Sequence, residues 1–129
     1  MEPRAREKIH EQSKTVAEKM TKIVFADEKL KEAFERLKNS PSEKRLYDNL
    51  MRAFDDIEKA PNAFIHIKQK LIPREYATKY GIDNLWKYDL PNGWRLLYSL
   101  ANDEIEIIAI ILDWLDHKNY ERKLGYRKQ

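Results

Sequence analysis

The 129-residue chain contains no cysteine. Disulfide stapling, Cys-ligated zinc and thiol catalysis are thereby excluded, and nothing in the composition calls for an oxidising compartment. No apolar run approaches the roughly 20 residues that span a bilayer. The first residues, Met1-Glu2-Pro3-Arg4, continue into charged sequence without the apolar segment of a secretory signal. A cytoplasmic protein without a membrane partner is therefore expected. Glycine is scarce, three in all, and none belongs to a phosphate-cradling loop. The histidines, His10, His66 and His117, lack metal-ligand spacing. Asp113, Asp116 and His117 read more simply as solvated charge than as a cation site. The serines have no acid/base partner by motif. No metal and no cofactor are expected, and there are no internal repeats.

Charge of both signs is abundant. Lys and Arg number 25 against 22 Asp and Glu, a formal net charge of +3. This leans mildly towards an anionic partner, provided the cations gather on one face. Hydrophobic residues make up 42% of the chain, enough for one core in one domain. Residues 1–20 carry only scattered apolar sites and read as an N-terminal extension, helical in pattern. The domain proper is expected over residues 21–129.

Lys22-Ile23-Val24-Phe25-Ala26 reads as a strand, and Asp27 can cap the helix that follows. Leu30, Ala33, Phe34 and Leu37 form one helical stripe. Ser40-Pro41 with Glu43 predicts a capping box opening a second helix, striped by Leu46, Leu50, Ala53, Phe54 and Ile57. Ala60-Pro61-Asn62 ends it. Residues 63–85 give mixed signals: Phe64, Ile65 and Ile67 suit a strand, and Tyr76 to Tyr80 an irregular stretch or short helix. Trp86-Lys87-Tyr88-Asp89-Leu90 alternates as a strand does, Trp94 to Leu100 is its return, and Asn102-Asp103 is the next turn. Glu104 to Leu112 is apolar on both faces, which predicts an interior strand. The expected class is α+β: an N-terminal helical hairpin packed on one face of a mainly antiparallel sheet of about four strands. The other face is expected to stand free.

Pro91 disfavours a two-residue turn at Leu90-Pro91-Asn92-Gly93, because it would remove the amide of the closing pair. A type I turn with Gly93 left-handed, followed by a bulge, is expected instead. Asp89 then pairs with Arg95, and Lys87 lies opposite Leu97. Lys87, Asp89 and Arg95 share one face, while Trp86, Tyr88, Leu96 and Tyr98 share the other. Asp89 and Arg95 form either a cross-strand ion pair of small value or part of an anion clamp, since the guanidinium fork suits phosphate. The expected strand order brings His117, Lys118 and Tyr120 to the same face. Arg, Lys, His and Tyr together can bind a phosphodiester and move its protons. His66, among apolar neighbours, is expected to be packed.

Ile23-Val24-Phe25, the helical hairpin, Trp86 to Leu90, Gly93-Trp94-Arg95-Leu96-Leu97-Tyr98 and Asp116-His117-Lys118 together resemble the RelE/ParE toxin superfamily over about residues 21–126. The order of these pieces carries the resemblance. It implies a curved sheet and a metal-independent endoribonuclease that cuts mRNA on the ribosome, using the RNA's 2′-OH as nucleophile. The implied partners are mRNA with the ribosome and a cognate antitoxin protein. Arg95 would stabilise the pentacoordinate phosphate, with Lys87 beside it. His117 or Tyr120 would relay protons, and Lys118 and Arg122 would hold neighbouring RNA. Two positions depart from the pattern: Asp89 stands where RelE has a second lysine, and Tyr120 follows Lys118 closely, leaving Tyr126 as a substitute. The same resemblance admits a binding module without chemistry, or a ParE-like topoisomerase inhibitor.

Overall fold

A computed structural model describes residues 19–102 and 104–125. Residues 1–18, Asp103 and Tyr126, and the expectations that fall on them, lie outside the described residues. The elements are β1 (Met20–Phe25), α1 (Glu28–Lys38), α2 (Lys44–Lys59), β2 (Ile65–His66), α3 (Arg74–Tyr80), β3 (Trp86–Asp89), β4 (Arg95–Asn102), β5 (Glu106–Leu115) and α4 (His117–Leu124). The class is α+β, as expected. The sheet has five strands rather than four, in the order β1-β5-β4-β3-β2. The extra strand is Ile65-His66, paired with Lys87 and Trp86 at the edge. β1 runs parallel to β5 and every other pair is antiparallel. β5 is thus interior, as its apolar faces require.

Asp27 caps α1 as its position suggests, accepting the Leu30 N–H at 2.9 Å. The Ser40/Glu43 capping box does not form. Residues 41–43 make a turn, the Glu43 amide donates to the Ser40 carbonyl at 3.0 Å, and α2 begins only at Lys44. The two helical stripes pack over one face of the sheet. Phe34, Leu37, Leu50, Ala53, Phe54 and Ile57 meet Leu90, Leu96, Tyr98, Ala109 and Ile111 there, with Trp86, Tyr88, Trp94 and Trp114 at the margin.

The second face does not stand free. Ile67, Tyr76, Ile82, Leu85, Leu97, Leu112, Tyr120 and Leu124 form a second buried cluster on it, under α3 and α4. The reason lies in the strands. Leu97 and Leu112 present apolar surface there, and leaving it in water would forgo about 25 cal/mol per Å². A bulge sharpens this. Leu97 pairs with Asp113 but Tyr98 with Ile111, so Leu112 is an extra residue. Leu112 and Asp113 consequently both serve the second face, Leu112 in its cluster and Asp113 hydrogen-bonded to Tyr76.

Candidate active site

The β3–β4 register pairs Asp89 with Arg95, Lys87 with Leu97 and Tyr88 with Leu96. Leu90 closes the turn by donating to the Trp94 carbonyl at 2.8 Å. The turn itself differs from the type I expectation. Asn92 adopts φ 64°, ψ 29°, and Gly93 follows at φ 80°. Asparagine tolerates this left-handed region better than other side-chain-bearing residues, so the loop keeps three residues and the register survives. Lys87, Asp89 and Arg95 therefore stand on the face away from the α1–α2 hairpin.

α4 completes the cluster. Asp116 caps it, accepting the Asn119 N–H at 2.9 Å, and the helix packs Tyr120 and Leu124 onto the sheet. Tyr120 is 2% exposed. The Arg95 guanidinium carbon lies 5.1 Å, and Lys87 Nζ 5.6 Å, from the centre of its ring. The aromatic face thus supports both cations from below. Asp89 joins the same cations from the solvent side, with Oδ1 2.8 Å from Lys87 Nζ and 3.2 Å from Arg95 Nε. The Arg95 contact is ionic only. Its angle leaves the buried Nε–H without a hydrogen-bond acceptor. Arg95 Nη1 donates to the Gly93 carbonyl, which holds the fork against the turn.

His117 Nδ1 lies 3.3 Å from Arg95 Nη2. A guanidinium can only donate, so Nδ1 carries the lone pair. Nε2 then carries the proton and donates to Glu121 Oε2 at 2.9 Å. Arg95, His117 and Glu121 form a chain with a defined tautomer and its basic nitrogen beside the guanidinium. Glu121 was missing from the candidates read in the sequence. The available signal was its spacing: four residues after His117, one turn on, on a helix that Asp116 opens.

The structure thus brings together Arg95, Lys87, His117 and Tyr120. It does not bring Lys118 and Arg122 to them. The periodicity that buries Tyr120 and Leu124 turns those two outward, and both are exposed. The cluster also holds as many carboxylates as side-chain cations: Asp89 and Glu121 against Lys87 and Arg95. His66, expected to be packed, is instead exposed on the edge strand β2, its ring tilted beside that of Trp86 with centres 4.6 Å apart. Asp113, Asp116 and His117 go to separate partners, and among the described residues no acidic or histidine group gathers to hold a metal.

A second polar region lies where the start of α1, β5 and α3 meet, around a cavity of about 250 Å³. Tyr76 donates to Asp113 at 2.8 Å and Tyr80 to Asp27 at 2.9 Å, with Lys79 3.6 Å from Asp27. These bonds tie α3 to the bulge of β5 and to the start of α1. Burial pushes the Asp113 carboxyl above the usual carboxylate range. The Leu30 amide pulls that of Asp27 below it.

No family model, no curated protein and no solved structure matches the chain.

Proposed function

We propose that this protein is a RelE-like toxin, a metal-independent endoribonuclease that cleaves mRNA on the ribosome. The observation that carries the reading is the contact between Arg95 and His117 on the sheet face away from the α1–α2 hairpin. An incoming phosphodiester would draw the Nη2–H of Arg95 onto a phosphate oxygen and free the Nδ1 lone pair of His117. That nitrogen then takes the proton of the 2′-OH. The O2′–P bond forms, the P–O5′ bond breaks, and the departing 5′-oxygen takes a proton from solvent. The products are a 2′,3′-cyclic phosphate and a 5′-OH. Glu121 stabilises the imidazolium as it forms, and the guanidinium meets the charge developing on the phosphate oxygens. Tyr120 supports Arg95 and Lys87 from beneath, and the proton transfer falls to His117. The RelE/ParE resemblance of residues 21–126 and the α+β topology support the same reading.

One observation favours a second reading, a binding module of the same ancestry without chemistry. Asp89 engages both Lys87 and Arg95, so a phosphate must compete with a carboxylate already in place. Incubation with mRNA and ribosomes, followed by mapping of 2′,3′-cyclic phosphate ends, separates the two. The expected result is cleavage that Arg95→Ala lowers by about 10²–10³-fold. Intact RNA in the presence of ribosomes, with RNA or a partner protein still bound, would establish the module instead.

A further inference from the structure

Trp94 and Arg95 are consecutive residues in extended backbone, so their side chains leave the β3–β4 hairpin on opposite faces. Arg95 joins the cationic cluster. Trp94, half-buried, packs at the margin of the core under the α1–α2 hairpin. Beside it the hairpin tip and the start of α2 enclose a cleft of about 200 Å³. Leu46 and Asn49, three residues apart on one face of α2, line one wall, with Glu43 and Arg45 beside them. Asn92 lines the other, held at the tip by its left-handed backbone.

The chemistry of this cleft is distinct from that of the cationic cluster. Trp94 offers a flat aromatic platform and Leu46 an apolar wall. Asn49 and Asn92 each present a carbonyl acceptor and an amide donor. Neither side chain hydrogen-bonds to another among the described residues. Arg45 and Glu43 balance in charge, so the cleft has no excess cation for a phosphate. A flat, uncharged group edged with donors and acceptors fits these features, as a nucleobase does: it stacks on aromatic rings and is read at its edges by amides.

We propose that this cleft binds a nucleobase of the same RNA strand whose phosphate meets Arg95, so that the strand straddles the Pro91–Gly93 tip. The proposal rests on the RNA reading above. It adds a place where base identity is read, on the opposite side of the hairpin from the chemistry.

Nuclear magnetic resonance titration of the full chain tests it, with adenosine, guanosine, cytidine and uridine as base-only probes and ribose 5-phosphate as a base-free one. At least one nucleoside should shift the Trp94 indole N–H and the Asn49 and Asn92 side-chain amides. Ribose 5-phosphate should shift Arg95 and His117 and leave Trp94 unmoved. For a short single-stranded RNA, Trp94→Ala should weaken binding roughly five- to a hundredfold, the range for loss of one base–aromatic stack. Because Trp94 also touches the core, Asn49→Ala on the helix surface is the companion variant. It should alter the ranking of the four nucleosides without moving the thermal midpoint. If no nucleoside shifts Trp94 or Asn49 while the RNA still binds through Arg95, the cleft is not a base site and the RNA reading stands. If nucleosides bind the cleft but RNA is never cut, the base site stands and the nuclease reading falls. Failure of every probe and of the RNA overturns both.

Discussion

Leu96 and Leu97 are neighbours in β4, both fully buried, and they belong to different cores. Leu96 packs under α1 and α2 among Phe34, Phe54 and Leu50. Leu97 packs under α3 and α4 beside Tyr76 and Tyr120. On the first face the helices arrive in sequence order with stripes already matched to a sheet, and the fit is mainly apolar. On the second face the cover is assembled from residues 67–85 and α4. Its apolar patch there is bordered by Arg95, Lys87, Asp113 and the hydroxyl-bearing Tyr76. A face roofed by short helices and bordered by charge can hold chemistry, because its polar groups are close to water yet fixed by packing.

The strongest way to break this comparison is to truncate each leucine in turn. Leu96→Ala and Leu97→Ala should each cost about 2–5 kcal/mol, read from urea unfolding midpoints, since each leaves a cavity in a filled core. A cost under about 1 kcal/mol for Leu97→Ala would mean that the second face collapses or floods readily and is no true core.

A smaller effect separates the polar groups of the second face. Asp113 has its carboxyl raised by burial, so between pH 3.8 and its higher folded value the folded state binds more protons than the unfolded state. Stability contributed by this group therefore falls as pH rises through the interval above its ordinary value of 3.8. Tyr76 offsets that by donating to the carboxylate. Tyr76→Phe should cost about 1–3 kcal/mol at neutral pH, where the buried carboxylate loses a donor. The cost should shrink below pH 3.8, where Asp113 is protonated in both states. Urea titrations at several pH values would show it, and a cost that does not vary with pH would refute the coupling.

Asp27 should behave in the opposite sense and by less. Its carboxyl is lowered, first by the Leu30 amide and then by Tyr80 and Lys79. Its contribution is present above pH 3.8 and fades as pH falls through the lower folded value. Asp27→Ala should cost about 1 kcal/mol as a lost helix cap. Asp27→Asn should recover most of that at neutral pH, because the amide oxygen still caps while the charge is gone. Thermal melts of the two variants check the order.

Much of the first face could be read from residues alone. The stripes Leu30-Ala33-Phe34-Leu37 and Leu46-Leu50-Ala53-Phe54-Ile57 follow a period of 3.6, and Trp86 to Asp89 a period of two; both are local properties. The pairing of Asp89 with Arg95 was legible too, because Pro91 and Gly93 restrict the turn to three residues whatever its dihedral angles. The Ser40/Glu43 signal misled, since a turn satisfied the same backbone groups first. The roof over the second face was half-legible: β5 is apolar on both sides, which demands cover, but nothing local says which segment supplies it.

The amino-acid sequence by itself therefore determined the α+β class, the helical stripes and the face on which Lys87, Asp89 and Arg95 stand. All of these depend on contacts within a few residues or across one tight turn. Only the tertiary structure decided that β1 lies parallel to β5, that the bulge turns Asp113 inward, and that His117 meets Arg95 with Glu121 behind it. Apart from the His117–Glu121 pair, one turn apart on α4, those contacts join segments tens of residues apart, where burial and packing of the whole sheet choose the partner and local propensity has no say.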